Sequence, residues 1–298
     1  MAKGLEILRG IFVLVLLCIS SVVVFIPIII IALVKLIPFE SLQKFCGSLL
    51  EVIATGWMYV NTHGAALLLP TKFEVQGLEE MKKDDSYLLM VNHQSWMDIM
   101  VLENIFLGKI SFAKFFLKNE LKWVPILGLA WWAMDFPFMK RYSKAYLKKH
   151  PEKQGKDMEA TRKACEKFKH MPLTLVNFSE GTRFTAAKAK KQESPYKNLL
   201  KPRAGGVSLV MNVMGEKMDS IIDVTIYYPS KYMTMWDYLS GRIKNIKIDI
   251  RYIPITKQMH GNMQCADFVQ YIRGLVNNIW QHKDDVMERF KSEKIEES

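Results

Sequence analysis

Tyr87-Leu88-Leu89-Met90-Val91-Asn92-His93-Gln94-Ser95-Trp96-Met97-Asp98 is the stretch that decides the fold. Its first five residues form an apolar run that predicts a short buried strand. The Asn-His-Gln-Ser segment after it predicts the turn where that strand hands over to a helix, with Ser95 to Phe106 as the helix. Loops at the ends of rigid strands are common places for chemistry. Here one carries a histidine and a carboxylate five positions apart, His93 and Asp98. A carboxylate in the first helical turn lies within reach of the imidazole, where it would fix the ring tautomer and stabilise the imidazolium that forms when the histidine takes a proton from an attacking hydroxyl. The same residues admit a plainer reading. Ser95-x-x-Asp98 is also a capping pattern, in which both side chains satisfy backbone N–H groups at a helix start. Spacing alone leaves both readings open.

Working outward, the alternation of elements continues from residue 73 to the C-terminus. Strands are predicted at Phe73 to Gly77 (an edge strand and turn), Ser86 to Val91, Ile110 to Ala113, Phe136 to Met139, Leu173 to Phe178, Ile221 to Tyr227 and Asn245 to Tyr252. Helices are predicted at Asn119 to Leu129, Asp157 to His170 and Gly206 to Gly215. This pattern predicts an α/β domain over residues 71–298, with a mixed, mostly parallel sheet flanked by helices. An amphipathic helix over residues 265–290, with Phe268, Ile272, Leu275, Ile279, Val286 and Phe290 along one side, packs back on it.

Residues 1–70 differ in kind. No charge occurs between Arg9 and Lys35. The apolar run 11–34, at about 1.5 Å per helical residue, covers a bilayer core of about 30 Å and predicts an N-terminal membrane anchor. Pro27 interrupts it, and a second apolar or interfacial segment follows over residues 45–69. One full span with an interfacial helix, and a hairpin dipping into one leaflet, both fit.

The 298 residues carry a formal charge of +11, and its location is informative. Between Lys140 and Arg203 there are 18 Lys or Arg against six Asp or Glu. Such an excess predicts an anionic partner for that section, or else a solvated face. The sequence lacks a nucleic-acid module with stacking aromatics on a basic sheet, so nucleic acid is not an expected partner. Cys18, Cys46, Cys165 and Cys265 are scattered singly, which predicts reduced thiols, no metal site and a cytosol-facing body. The segment Trp123 to Trp132 is too short to span a bilayer and rich in Trp, so it is expected either at the lipid interface or in the core.

Three further pieces follow the His93 stretch in order. Phe138-Met139-Lys140-Arg141 is a short apolar run ending in two cations. Glu180-Gly181-Thr182-Arg183, after the strand ending at Phe178 and Ser179, offers a glycine for a tight turn, a hydroxyl and a planar guanidinium suited to phosphate. Lys201-Pro202-Arg203-Ala204-Gly205-Gly206 is a basic turn ahead of a helix. An Asn-preceded His-x4-Asp box, an apolar-Lys-Arg element and Phe-x-Glu-Gly-Thr-Arg, behind an N-terminal apolar segment, resemble the glycerolipid acyltransferase family typified by 1-acylglycerol-3-phosphate acyltransferases. The resemblance runs over about residues 73–228. It is closest to a bacterial member of the branch that includes lysocardiolipin acyltransferases, whose fourth block Asp223 to Tyr227 is similar to.

The resemblance implies a membrane-bound enzyme. It would move a fatty acyl group from acyl-CoA or acyl carrier protein to the 2-hydroxyl of lysophosphatidic acid, with His93 as general base and Asp98 its partner. It implies acceptor binding by Asn92, Lys140, Arg141, Glu180, Gly181, Thr182 and Arg183, with Arg183 the foremost phosphate ligand. No metal or prosthetic group is implied, because the thioester carries the energy. The implied partners are the lysophospholipid, membrane lipids and the acyl thioester; the charge of Lys144 to Lys169 makes that run an expected dock for an anionic donor. The implied location is the cell inner membrane, with the catalytic domain facing the cytoplasm. Two departures matter: Ser179 stands where many members have proline, and the Val-Pro-Val type of fourth block is absent. Other acceptors (lysocardiolipin, lysophosphatidylglycerol, glycerol-3-phosphate) therefore stay open, as does a non-enzymatic basic protein binding anionic lipid.

Overall fold

The computed structural model describes residues 2–78, 81–115, 117–124, 127–139, 172–230 and 233–296. The chain opens with α1 (Ala2–Val34) and α2 (Glu40–Leu68), which run antiparallel. Their contacts pair early with late residues: Ile28 and Ala32 pack against Leu50, and Ser20 Oγ donates to Asn61 Oδ1 at 2.8 Å while accepting from Trp57 Nε1 at 3.3 Å. At 33 residues α1 is about 50 Å long. Among the described residues it is the one helix long and apolar enough to cross a membrane, by length and composition. Its side chains Leu8, Phe12, Val15, Ile19, Val22, Ile26 and Ile30 are exposed, and Phe45, Val52 and Val60 extend the apolar surface onto α2.

The α/β body follows with β1 (Lys72–Gln76), β2 (Tyr87–Val91), α3 (Asp98–Phe106), β3 (Ala113–Phe115), β4 (Leu117–Lys118), a 3-10 turn at Asn119–Trp123, α4 (Leu127–Ala133) and β5 (Phe138–Met139). After the undescribed section come β6 (Thr174–Phe178), α5 (Ala186–Lys191), α6 (Gly205–Met214), β7 (Ser220–Tyr227), α7 (Met235–Leu239), β8 (Asn245–Pro254) and α8 (Ala266–Glu296). Six strands form one sheet in the order β1-β8-β7-β2-β6-β3. The β7, β2, β6 and β3 strands are parallel, while β8 is antiparallel to β7 and carries β1 beside it in its own direction. The sheet is thus mixed and mostly parallel. The small pair β4 and β5 lies apart.

β2 sits centrally, and all five of its residues are buried. Period-two alternation sends Tyr87, Leu89 and Val91 into one core with α3 side chains Val101, Leu102 and Ile105, and Leu88 and Met90 into a second with Val207 and Val210 of α6 and Ile272, Val276 and Trp280 of α8. Each such side chain contributes roughly 1.5–3 kcal/mol by leaving water, which is why an uninterrupted apolar run is stable only in the middle of a sheet covered twice.

The α1–α2 hairpin is held to this body by specific contacts. Val13, Ala65 and Leu69 join the first core, and Arg242 Nε donates to Glu6 Oε2 at 3.0 Å. Lys35, just past α1, donates to the Ala133 carbonyl at 2.6 Å and pairs with Asp135 at 2.7 Å. α4 therefore packs against the hairpin through Ala130 and Ala133. The Trp-rich segment divides accordingly: α4 turns its alanines inward, while the Trp123 ring is 78% exposed. The predicted helix Asn119 to Leu129 is instead a 3-10 turn followed by α4, and the strand expected at Ile110 to Ala113 lies three residues later, because the Ile110 N–H still closes the end of α3 on Phe106 O. The C-terminal helix runs to Glu296, beyond the predicted residue 290. The predicted helix Asp157 to His170 lies outside the described residues.

Candidate active site

The sheet register brings the motifs together. β2 and β6 pair in parallel with Val91 opposite Phe178, so the loops after them, Asn92 to Asp98 and Ser179 to Arg183, leave the sheet at the same level. The chain leaves β2 through α3 toward β3 on one side and returns through α6 to β7 on the other. That reversal opens a crevice at the carboxyl ends of the strands, where ligands of open α/β sheets bind.

Asn92 continues the ladder of β2. Its Nδ2 donates to Ile226 O at 2.9 Å and its Oδ1 accepts from Ile226 N at 2.8 Å, with no exposed surface. An amide so engaged fixes the loop to β7; as a substrate-binding residue it could act only through the loop it holds.

His93 Nδ1 lies 2.8 Å from Asp98 Oδ2, and the ring keeps 16% of its surface. Asp98 is fully buried and surrounded by donors: Oδ2 also accepts from Gln94 N at 2.8 Å and Ser95 N at 3.0 Å, and Oδ1 accepts from the Tyr228 hydroxyl at 2.6 Å. Four groups aimed at two oxygens suit a carboxylate, which accepts and does not donate. The proton between His93 and Asp98 is then assigned to Nδ1, leaving Nε2 with a free lone pair. Nε2 has no hydrogen-bond partner among the described residues. Phe178 stacks on the imidazole at 4.3 Å between centroids, with Phe115 stacked behind it.

Half of the predicted capping pattern forms. Asp98 reaches back to the Ser95 N–H, but the helix begins at Asp98, three residues later than expected. Ser95 Oγ does not cap Asp98; it accepts from Met97 N at 3.3 Å and donates to Met233 O at 2.6 Å. The loop from Gln94 to Asp98 is thus folded around the carboxylate that also faces the histidine, and the two readings of the sequence share one geometry.

Glu180 is fully buried beneath this loop. Its Oε1 accepts from His93 N at 3.0 Å and its Oε2 from Leu200 N at 3.1 Å, while Phe184 N donates to His93 O at 2.7 Å. The side chain predicted to bind acceptor uses both oxygens to tie the histidine loop to the turn after β6. Burial pushes its carboxyl up to about 7, against the pull of the two N–H donors. An acid raised above its unfolded value of 4.5 contributes stability that is complete below that value and is lost as pH rises through about 7. Glu103, also raised to about 7 by burial, titrates in the same window. A urea-melt comparison of wild type with Glu180→Gln therefore isolates Glu180: the stability difference should change in favour of the variant between about pH 4.5 and 7, by up to about 3 kcal/mol. A difference flat with pH would contradict this.

Gly181 takes a left-handed conformation, φ 71°, that a side chain would strain, and this turns the chain so that Arg183 projects outward. The Arg183 guanidinium stacks on the exposed Trp96 ring at 4.6 Å. Lys188 Nζ donates to Thr182 Oγ1 at 2.8 Å and Arg183 O at 2.9 Å, stiffening the turn. Gln94, Ser95, Trp96, Arg183, Lys188 and Met235 are among the residues that line an open groove of ≈ 350 Å³ beside the dyad. Arg203 comes from the Lys201–Gly206 turn and lies against Gly181. Lys140, Arg141 and Lys144 to Lys169 lie outside the described residues. Among the described residues no three His, Cys, Asp or Glu converge as a metal centre requires.

Fold and site together define an α/β protein with a histidine–carboxylate pair at a sheet switch point and a phosphate-suited arginine on the same rim. The chain belongs to the acyltransferase family: that family's model matches residues 72–229, which hold His93, Asp98, Glu180, Arg183 and Tyr228. Among curated proteins it is similar to a probable 1-acyl-sn-glycerol-3-phosphate acyltransferase 5 of Arabidopsis thaliana, 26% identical over 70% of this chain and 54% of that protein. It is also similar to the mouse 1-acyl-sn-glycerol-3-phosphate acyltransferase epsilon (24%; 49% of this chain, 41% of that one) and to the 2-acyl-1-lysophosphatidylinositol acyltransferase of Saccharomyces cerevisiae (24%; 83% and 72%). The match spans about half the length of the first two relatives. The crystal structure of the 1-acyl-sn-glycerophosphate (LPA) acyltransferase of Thermotoga maritima aligns over 95% of this chain and 98% of that one, at 17% identity and a TM-score of 0.48.

Tyr228 lies one residue beyond the fourth block that the sequence pattern marks, Asp223 to Tyr227. Nothing local distinguishes the two tyrosines; only the pairing of β7 beside β2 brings the second against Asp98.

Proposed function

We propose that the protein is a membrane-bound acyltransferase that moves a fatty acyl group from an acyl thioester to the 2-hydroxyl of lysophosphatidic acid, forming phosphatidic acid. The observation that carries this reading is the 2.8 Å contact between His93 Nδ1 and a fully buried Asp98, with the outer ring nitrogen free. Nε2 takes the proton of the acceptor hydroxyl as its oxygen bonds to the thioester carbonyl carbon. The tetrahedral intermediate collapses with cleavage of the C–S bond, and the imidazolium returns the proton to the departing thiolate. Asp98 holds the ring and stabilises its positive charge meanwhile. The donor is acyl-CoA or acyl carrier protein, and the reaction needs no metal or prosthetic group.

The acceptor's phosphate is placed on Arg183, whose guanidinium is oriented by Trp96 and has no carboxylate partner among the described residues. Lys140 and Arg141 complete the anionic site in this reading. Arg183→Ala should raise KM for lysophosphatidic acid by about 10- to 100-fold, and Arg183→Lys by less, since it keeps the charge and loses the fork. Steady-state kinetics on detergent-solubilised protein checks this; an unchanged KM would remove Arg183 from the acceptor site. The exposed apolar face of α1 and α2 anchors the protein in the cell inner membrane, with the α/β body on the cytoplasmic side, where the acceptor is a membrane lipid.

A second acceptor is favoured by one observation: the yeast relative matched over 83% of this chain is named for lysophosphatidylinositol. A panel of lysophosphatidic acid, lysocardiolipin, lysophosphatidylglycerol, lysophosphatidylinositol and glycerol-3-phosphate, each with acyl-CoA and acyl carrier protein donors, tests the assignment. Highest kcat/KM on lysophosphatidic acid supports it. A preference for another lysolipid moves the substrate, and no turnover with salt-sensitive lipid binding favours the non-enzymatic alternative.

A further inference from the structure

The acid–base reading uses only one of the two oxygens of Asp98. The other, Oδ1, accepts from the Tyr228 hydroxyl at 2.6 Å, and no other donor to it is found among the described residues. Tyr228 is the first residue past β7, 5% exposed, in the apolar core that also holds Met97, Val101 and Tyr238. A buried carboxylate in such surroundings is costly unless both oxygens are satisfied. Rotation of its plane about the Cβ–Cγ bond would take both oxygens out of line with these donors. Three donors converge on Oδ2 from the histidine loop itself, whereas the fourth arrives from a different strand.

We propose that Tyr228 is a positioning residue of the dyad: its hydroxyl pins Asp98 Oδ1 to the end of β7, which fixes the plane of the carboxylate and sets how strongly Oδ2 holds the His93 imidazole. The inference rests on the acid–base reading of His93 and Asp98. It goes beyond that reading by placing a control of the histidine's basicity on an element outside the motif. Burial, and next the charge of Asp98, push the phenol well above its ordinary 10, so it stays a donor throughout the working pH range.

Removing the donor has a direction. With Oδ1 unsatisfied, the negative charge of Asp98 concentrates on the side facing His93, the imidazolium is favoured, and the histidine should give up its proton at higher pH. The other titratable groups around the pair are Glu180 from the turn after β6, Lys283 on α8, Tyr238 on α7, Glu103 on α3 and Arg183. They are common to wild type and variant, so the difference between the two reports Tyr228.

The experiment follows the His93 ring protons of the full-length protein in detergent by NMR across pH 5–9, beside kcat and KM. In Tyr228→Phe the His93 midpoint should rise by about half a unit to one unit, and kcat should fall roughly tenfold with KM unchanged, as expected for loss of one hydrogen bond to a charged group. Placing 3,5-difluorotyrosine at position 228 makes a stronger donor with only a small increase in ring size, and should move the midpoint downward. Tyr238→Phe, which takes a hydroxyl from the same core without touching Asp98, should move neither. An unchanged midpoint in both Tyr228 variants overturns the inference, as does an equal shift in Tyr238→Phe. The midpoint is read without turnover, so absent acyl transfer in wild type would count against the proposed reaction and not against this role.

Discussion

His93→Ala is expected to cut acyl transfer to near background, with kcat down by about 10^2 to 10^4 and toward the upper end, the contribution general-base catalysis makes when nothing else can take the proton. The physical reason is specific to this site. Nε2 is the one ring atom left free, and the neighbouring titratable groups are committed: Asp98 to four donors, Glu180 to two backbone N–H groups. The fold should survive, because Asp98 keeps the Gln94 and Ser95 amides and the Tyr228 hydroxyl, and Phe178 still rests on Phe115. The measurement is transfer by purified variant, alongside a thermal melt and flotation with vesicles. Lost turnover with retained fold and vesicle binding is the expected pattern.

Asp98→Asn should be the second largest effect, lowering kcat by about 10^2 to 10^3 with little change in KM. Its single carbonyl oxygen can still face the Gln94 and Ser95 amides, and the Tyr228 hydroxyl can rotate to accept from the new amide, so the loop keeps its shape. What goes is the negative charge that stabilises the imidazolium. The acidic limb of the rate profile should therefore move to lower pH, opposite to the shift expected for Tyr228→Phe. Asp98→Ala is a different case: it strands two buried N–H groups and a buried hydroxyl, and should cost stability as well as rate. Rate–pH profiles of the two variants, with melts, separate charge from scaffolding.

These two residues were legible in the sequence because local rules place them. An apolar run of strand length, a polar turn and an acidic residue five positions on fix both the strand and the approach of Asp98 to His93. Gly181 was legible for the same reason, since a tight turn after a strand needs a positive φ. The roles of Asn92 and Glu180 were not. Asn92 meets Ile226 across 134 positions and Glu180 meets His93 across 87, and such pairings follow from sheet order, which a local pattern does not carry. Nor does pattern give strand direction: β8 reads like its neighbours yet runs antiparallel to β7. The start of α3 moved because the Asp98 carboxylate binds the Gln94 and Ser95 amides and holds those residues in a turn.

The burial of Glu180 under the His93 loop has a consequence for engineering. It looks like a ligand in the motif, but a substitution there acts through the position of His93, so a loss of rate in Glu180 variants should not be taken as loss of acceptor binding. Arg183 and Trp96, exposed on the groove rim, are the better positions for changing acceptor preference.

The central claim is that His93 and Asp98 transfer an acyl group from a thioester to a lysolipid hydroxyl. Purified protein given acyl-CoA and lysophosphatidic acid tests it most directly, with free thiol and phosphatidic acid followed together. The predicted result is one thiol released per phosphatidic acid formed in wild type, and neither above background in His93→Ala. Thiol release without acylated lipid, or product formation undiminished in His93→Ala, would contradict it.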